Sequence, residues 1–139
     1  MLYDPVLVAP MREEVVDLGF EELTTAEEVH DALRAQKGTA LVFVNSVCGC
    51  SAGGARPGIR MALATSAKKP AKLYTVFAGQ EPEATNAARS YFVGYAPSSP
   101  SMGLLKDGEL VHMIERHQIE GQLPESIARN LVWAFDKYC

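Results

Sequence analysis

The pattern of apolar and polar positions along the chain predicts two strands that are buried on both faces. Residues 39–45 and 71–78 are nearly continuous apolar runs with β-branched or aromatic members. Such runs are typical of the inner strands of a sheet that helices cover on both sides. A shorter run at 20–23 predicts a third strand.

A hairpin and several helices complete this pattern. The turn signal Lys106-Asp107-Gly108 predicts a hairpin between strands at 101–105 and 109–114. Thr25 and Glu28 have the spacing of a capping box at the start of a helix. Apolar residues then recur at helical spacing in four stretches, which are 26–36, 57–66, 82–91 and 124–138.

Prolines and glycines set the expected limits of two further segments. Residues 1–10 contain two prolines, so we expect them to be extended, with a short helix at 11–18 that ends at Gly19. Pro57 is compatible with the first turn of a helix, because backbone N–H groups there have no partner within the helix. If that helix begins at Cys50 instead, Pro57 should kink it.

These elements alternate in the order βαβαβαββα, which predicts an α/β fold. A helix between successive strands implies parallel connections, and the final hairpin implies an antiparallel edge. The expected architecture is an α/β/α sandwich with a central mixed β-sheet. A length of 139 residues fits one domain over 1–139, and the chain shows no internal repeat or linker.

Composition narrows the class of partners. The net charge is −4, and Lys68-Lys69 is the main basic cluster, so nucleic acid is not an expected partner. The apolar runs are too short to span a bilayer, and the first residues lack the basic and apolar regions of a signal peptide. We therefore expect a cytoplasmic protein with no membrane partner, in a compartment where thiols stay mostly reduced.

The stretch that points most directly to chemistry is Cys48-Gly49-Cys50, which follows the strand at 39–45 and precedes a helical pattern. A bend at Gly49, which accepts positive φ, would bring the two cysteines within disulfide distance. Such a disulfide closes almost no loop, so it adds little stability and is easily reduced. Two buried, unreactive cysteines are the alternative. The position at a helix start favours redox chemistry, because a helix N-terminus stabilises a thiolate.

The element order, the cysteine pair after an inner strand and the proline before the final hairpin together resemble the thioredoxin fold. This resemblance implies that Pro100 has a cis peptide bond and faces Cys48. It also implies that the backbone at Ser99 pairs with an extended substrate. The chain differs from thioredoxins at its cysteines, since one residue rather than two separates them and Val47 stands where thioredoxins have a tryptophan.

A more specific resemblance is carried by Cys48-Gly49-Cys50, the small residues at 51–58 and the downstream stretch Arg116-His117-Gln118-Ile119-Glu120-Gly121. Together with Tyr3-Asp4-Pro5 and Leu18-Gly19-Phe20, these motifs are similar to the bacilliredoxin family over essentially the whole chain. The resemblance implies a thiol-disulfide oxidoreductase that removes bacillithiol, a low-molecular-weight thiol, from mixed disulfides on proteins. It implies no cofactor, with bacillithiol as a thiol co-substrate, and disulfide-bearing proteins as partners.

Carried onto this chain residue by residue, the resemblance makes Cys48 the attacking thiolate and Cys50 the thiol that resolves the mixed disulfide. Gly49, Ser99 and Pro100 are the expected substrate-binding positions. Backbone pairing at Ser99 depends on its position rather than on its side chain.

Arg56 is a further candidate for binding substrate. With Arg60, one helical turn away, it would offer a cationic rim to a carboxylate-bearing thiol, although a solvated helix face is the commoner reason for such a pair. We also expect Arg56 and the helix start to lower the pKa of Cys48.

Other functions fit the same cysteine pair. One is a weak protein disulfide isomerase or reductase. Another is a redox sensor, which would react once and stop, so that turnover distinguishes it from an enzyme. A third is a metal-binding module: a metal site takes about four ligands, and Cys48, Cys50 and His117 from two chains could hold zinc in a dimer. Metal analysis of the purified protein distinguishes this alternative, and no metal is the expected result. The sequence assigns no role to His117 or Cys139 and no oligomeric state.

Overall fold

The computed structural model describes residues 2–139, and its strands form one five-stranded sheet. The strands are β1 (Glu21–Glu22), β2 (Thr39–Asn45), β3 (Lys72–Phe77), β4 (Ser101–Lys106) and β5 (Glu109–Ile114), in the spatial order β1-β3-β2-β4-β5. β3 runs parallel to β1 and to β2, whereas β4 is antiparallel to β2 and to β5. The predicted mixed sheet with an antiparallel edge is confirmed.

Helices connect and follow these strands. They are α1 (Pro5–Val16), α2 (Ala26–Leu33), α3 (Arg56–Thr65), α4 (Pro82–Arg89), α5 (Arg116–Ile119) and α6 (Pro124–Tyr138). A π-helical segment, Ser51–Ala55, directly precedes α3. Within residues 2–139, no helix combines the length and the apolar character needed to cross a bilayer.

The helices cover the sheet on both faces, as the sequence predicts. α2 packs with α4 on one face, and α3 packs with α6 on the other. β2 contributes to both layers, since Leu41 and Phe43 point toward α3 and α6 while Val42 and Val44 point toward α2 and α4. Every residue of β2 is buried, which explains why its sequence is apolar without alternation.

α3, the helix that follows the two cysteines in the chain, packs very closely against α6. A Cβ atom on Gly58 would lie 2.8 Å from the Ile127 side chain, so a residue without a Cβ is needed for this approach. Ile59 on the same helix is fully buried in the core. α3 therefore provides a rigid base for the turn that precedes it.

The prediction for the N-terminus is wrong, because most of the first ten residues are helical rather than extended. α1 begins at Pro5, and the Asp4 carboxylate accepts a hydrogen bond from the Val6 N–H at 2.9 Å. A proline at the first helical position needs no N–H partner, so Pro5 marks the start of a helix. Pro10 lies inside α1, where it removes one backbone hydrogen bond.

Other local predictions are confirmed. The Thr25 hydroxyl accepts from the Glu28 N–H at 3.1 Å, and the Glu28 carboxylate accepts from the Thr25 N–H at 3.2 Å, which completes the capping box. The hairpin turns at Asp107 and Gly108, both with positive φ. The sequence did not predict α5, because four residues are too few to show a periodic pattern.

Candidate active site

The cysteine pair lies where β2 ends and helical backbone begins. β2 ends at Asn45, and the backbone is helical from residue 49. The N–H groups of Ser51 and Ala52 donate to the Cys48 carbonyl at 2.9 and 3.4 Å. The helix therefore starts well before Pro57, which is the second of the two arrangements that the sequence allows.

The backbone between the cysteines and Pro57 is π-helical. In this segment the Arg56 N–H donates to the Ser51 carbonyl, five residues earlier. A wider turn of this kind inserts one residue into a helix and is common at functional sites. Because Pro57 lacks an N–H and its ring crowds the carbonyl four residues before it, the helix is irregular where the sequence predicts a kink.

Cys48 and Cys50 face each other as free thiols. Their Sγ atoms are 2.7 Å apart, within hydrogen-bonding distance. Gly49 between them is exposed, does not adopt positive φ, and would place an added Cβ in open space. The bend that brings the thiols together therefore comes from the start of the helix, and the expected use of positive φ at Gly49 is wrong.

The two thiols have opposite shifts in pKa. The hydrogen bond from Cys50 holds the pKa of Cys48 below its ordinary value, and backbone N–H groups and the charge of Arg116 act in the same direction against the effect of burial. Burial, together with the hydrogen bond and charge of Cys48, raises the pKa of Cys50 to about 11. Cys48 therefore ionises first, and Cys50 remains a protonated thiol beside it.

An open cleft of about 310 Å³ lies beside the Cys48 thiol. Tyr3, Ser99 and Arg116 reach it from three distant parts of the chain. Tyr3 is held in place by the Gln80 amide, which pairs with its backbone N–H and C=O at 2.8 and 2.9 Å. Of the two cysteines, only Cys48 lines the cleft among the described residues.

A larger cleft of about 590 Å³ lies elsewhere, between the end of α4 and β5. It is lined by Tyr91 and His112 among others, and no described cysteine contributes to it. Size alone therefore does not mark the reactive site in this molecule.

Ser99 and Pro100, two of the predicted substrate-binding residues, lie in the segment directly before β4. The Ser99–Pro100 peptide bond is cis, as the family resemblance implies. Pro100 is buried, while Ser99 is half-buried and lines the cleft with Cys48. The Ser99 carbonyl already accepts a hydrogen bond from Nη1 of Arg116 at 3.1 Å.

Arg56 lies beneath the turn and does not form the exposed rim that the sequence suggested. Its side chain is only 3% exposed. Nη1 donates to Asn45 Oδ1 at 2.8 Å, to the Ser46 carbonyl at 3.2 Å and to Ser51 Oγ at 3.0 Å. Nε pairs with the Glu14 carboxylate at 3.1 Å. The guanidinium therefore joins the end of β2, the π-helical segment and α1.

Asn45 extends this network on both sides. Its Nδ2 donates to the Met11 carbonyl at 3.0 Å, and its Oδ1 accepts from the Ser46 N–H at 2.9 Å. The Ser46 hydroxyl in turn accepts from the Cys48 N–H at 3.2 Å. A continuous chain of hydrogen bonds thus connects Arg56 with the backbone of Cys48.

The cation beside the thiols is Arg116, which sequence reasoning did not select as a site residue. It lines the cleft, and its charge favours the ionised form of both Cys48 and Cys50. In the sequence, the one indication that Arg116 belongs to the site is its place in the stretch at 116–121 that resembles the family. His117, the next residue, has a 74% exposed side chain and does not line the cleft within the described part of the chain.

Comparison with known proteins identifies the family. A family model described as disulphide isomerase matches residues 3–139. A bacilliredoxin of Geobacillus kaustophilus is 57% identical over 133 residues, which are 96% of this chain and 92% of that protein. A bacilliredoxin of Koribacter versatilis is 54% identical over 138 residues, 99% of this chain and 94% of that protein. The chain belongs to the bacilliredoxin family.

Solved structures agree on the fold of this bacilliredoxin family member. A mutant thioredoxin from Halobacterium salinarum has a TM-score of 0.54 at 18% identity, and the match covers 84% of this chain and 88% of that thioredoxin. Reduced thioredoxin of Schistosoma mansoni has a TM-score of 0.56 at 17% identity, and the match covers 85% of this chain and 96% of that thioredoxin. These structures show that the chain has a thioredoxin-like fold. Its membership of the bacilliredoxin family makes it a thiol-disulfide oxidoreductase.

Within residues 2–139, no group of three or more His, Cys, Asp or Glu side chains is placed to share a metal ion. Cys48 and Cys50 therefore have no third protein ligand of these types close by in the described part of one chain.

Proposed function

We propose that this protein removes bacillithiol from mixed disulfides on other proteins, with Cys48 as the attacking thiolate and Cys50 as the resolving thiol. One observation carries the proposal: the thiols lie 2.7 Å apart with opposite shifts in pKa, and Cys48 lines the cleft. A nucleophile must be ionised and accessible, whereas a resolving thiol must stay protonated until the first bond has formed. The relatives named bacilliredoxin support bacillithiol as the thiol.

The reaction consists of two thiol-disulfide exchanges. The Cys48 thiolate attacks the bacillithiol sulfur, the substrate S–S bond breaks, and the freed protein thiolate takes a proton from solvent. Cys50 then loses its proton and attacks the Cys48 sulfur, so that bacillithiol leaves as a thiolate and a Cys48–Cys50 disulfide remains. Two electrons pass from the cysteine pair to the substrate disulfide. A second molecule of a low-molecular-weight thiol can replace Cys50 in the resolving step.

The remaining predicted positions take supporting roles in this proposal. Ser99 lines the cleft, and Gly49 is exposed between the thiols, so the backbone of both residues lies where a substrate approaches Cys48. Pro100 is buried directly after Ser99 and holds that backbone in place. We assign these roles to a single domain that comprises residues 1–139.

Protein disulfide isomerase or reductase activity at the same cysteines is the second candidate. The description of the matching family model, disulphide isomerase, favours it. In this activity Cys48 would attack a sulfur of the substrate protein itself, so that the two proteins become linked. The products of the first exchange therefore distinguish the two functions.

The test uses a model protein that carries one bacillithiol mixed disulfide, and intact mass follows both proteins. In a Cys139→Ser background, the Cys50→Ala variant should acquire and retain the bacillithiol mass. The parent pair should release bacillithiol and become oxidised, and Cys48→Ala should remain unchanged. Repeated turnover with a thiol reductant would separate an enzyme from a sensor that reacts once.

Two results would contradict the proposal. If neither the parent nor Cys50→Ala accepts bacillithiol, removal of this thiol is not the function. If the first product is instead a covalent adduct with the model protein, the isomerase or reductase is the better description.

A further inference from the structure

The cleft beside Cys48 is lined, among the described residues, by one basic side chain, that of Arg116. None of those lining residues is an aspartate or glutamate. Tyr3 and Ser99, which also line it, contribute hydroxyl groups. The Arg116 side chain is 44% exposed, so its guanidinium is accessible from the cleft. Once Cys48 is bonded to the transferred sulfur, its negative charge is lost and Arg116 is the one charged side chain among the described lining residues, so the cleft then attracts an anionic group.

The guanidinium still has hydrogen-bonding capacity for a ligand. Nε pairs with the Glu120 carboxylate at 2.9 Å, and Nη1 donates to the Ser99 carbonyl at 3.1 Å. Nη2 has no hydrogen-bond partner among residues 2–139. The Glu120 side chain is 61% exposed, and ion pairs of this kind exchange readily with solvent or ligand. A carboxylate can accept two parallel hydrogen bonds from an arginine, which a neutral carbonyl cannot.

Two features indicate whether the small thiol or the protein half of a mixed disulfide enters the cleft. They are the volume of the cleft and the hydrogen bond that the Ser99 carbonyl already accepts. A volume of about 310 Å³ is near the lower limit for small-ligand sites and suits a small thiol better than a peptide segment. An extended peptide would pair with exposed backbone, but Arg116 already occupies the Ser99 carbonyl. The small thiol, once bonded to Cys48, therefore lies beside Arg116.

We propose that Arg116 selects mixed disulfides whose small-thiol half carries a carboxylate, by binding that carboxylate while the thiol is transferred to Cys48. The inference rests on the function proposed above and names its substrate class. Nη1 exchanges the Ser99 carbonyl for the carboxylate, and Nη2 gains a partner. No covalent bond and no proton changes at Arg116, so it acts as a specificity-determining residue, and the exchange at Cys48 proceeds as already written.

The test compares two caps of nearly equal size on the same model protein, 3-mercaptopropionate and 2-mercaptoethanol, each held as a mixed disulfide. Cap transfer to Cys48 is followed by intact mass in Cys50→Ala with Cys139→Ser, where the cap is retained. We expect Arg116→Gln to lower the ratio of the two transfer rate constants, anionic over neutral, by about fivefold. Arg116→Lys, which keeps the charge without the planar fork, should retain part of the preference.

A matched control removes a different exposed arginine. Arg34 follows α2 and precedes β2, so it lies at the end of the sheet opposite the cysteines. Arg34→Gln makes the same change in charge and should leave the ratio within about twofold of the parent value. High salt should lower the ratio in the parent and leave it unchanged in Arg116→Gln, because salt screens an accessible charge.

The ratio separates this inference from other effects of the substitution. Loss of the Arg116 charge also raises the pKa of Cys48, which slows transfer of both caps alike and cancels in the ratio. If both caps transfer and Arg116→Gln leaves the ratio unchanged, the inference is wrong and the proposed function stands. If neither cap transfers in any protein that keeps Cys48 although the bacillithiol cap does, a carboxylate is not what Arg116 selects and the inference alone fails. If the bacillithiol cap does not transfer either, the proposed function itself fails.

Discussion

Two arginines lie on different sides of the cysteine turn, and they differ in almost every respect except residue type. Arg56 is 3% exposed and donates to Asn45, Ser46 and Ser51 beneath the turn while pairing with Glu14. Arg116 is 44% exposed, lines the cleft, and pairs with the exposed Glu120 carboxylate and the Ser99 carbonyl.

The difference shows how burial determines the use of a charge. Taking a guanidinium out of water is costly unless it is paired within the protein, and Arg56 makes its hydrogen bonds through Nε and Nη1 to three separate segments, which it therefore holds in fixed positions. An exposed guanidinium can exchange partners at small free-energy cost, so Arg116 can respond to a ligand. The same residue type therefore builds the turn on one side and lines the cleft on the other.

The largest effect is expected from Arg56→Met, which removes the buried charge and keeps much of the volume. Asn45 Oδ1, the Ser46 carbonyl and Ser51 Oγ would all lose a charged donor beneath the turn. We expect the free energy of unfolding, measured by urea denaturation, to fall by about 3 kcal/mol.

The control for this prediction is Arg34→Met, at the exposed end of α2. It should change the free energy of unfolding by no more than about 0.5 kcal/mol. If Arg56→Met costs less than about 1 kcal/mol, the network beneath the turn does not hold it, and the contrast between the two arginines disappears.

A smaller effect is expected on the titration of the thiols. In a Cys139→Ser background, thiolate absorbance should show one group ionising below the ordinary thiol range and a second only near pH 11. Cys50→Ala removes the hydrogen bond that contributes most to lowering the pKa of Cys48, so the midpoint of Cys48 should move upward. Arg116→Gln should move it upward by less, because its charge contributes less.

Iodoacetamide alkylation checks the same prediction by reactivity. Since the thiolate is the reactive form, the rate should rise with pH through the Cys48 midpoint. A midpoint that is identical in the parent and in Cys50→Ala would show that the hydrogen bond between the thiols does not set the pKa.

The smallest effect is expected from Gly49→Ala. An added Cβ would meet nothing within 4 Å and the residue does not need positive φ, so we expect stability to rise by about 0.5 kcal/mol. Gly58→Ala is the contrasting variant, because its Cβ would lie 2.8 Å from Ile127 and should cost about 1–3 kcal/mol. Urea unfolding measures both.

The Gly49 variant also tests the role of that residue in binding. If Gly49→Ala is stable but transfers the bacillithiol cap much more slowly, the substrate approaches the backbone at this position. A clear loss of stability would instead mean that the open space around Gly49 is not available in the folded protein.

Much of the fold could be predicted because its signals are local. The uninterrupted apolar run of β2, the capping box of Thr25 and Glu28, and the turn at Asp107 and Gly108 all depend on neighbouring residues. α1 is the main difference, since the two prolines of residues 1–10 predict an extended segment whereas Pro5 is the first residue of a helix. A proline is favoured at the first position of a helix and unfavourable one turn further in. A local sequence pattern does not distinguish these two positions.

The candidate site was predictable only in part, for the same physical reason. The sequence by itself determined that Cys48 and Cys50 lie where an inner strand gives way to a helix, because these residues are adjacent in the chain. Only the tertiary structure decided which arginine faces the thiols. Arg56 is near them in sequence but is turned into the interior by Asn45 and Glu14, whereas Arg116 is brought to the cleft by the pairing of β4 with β5.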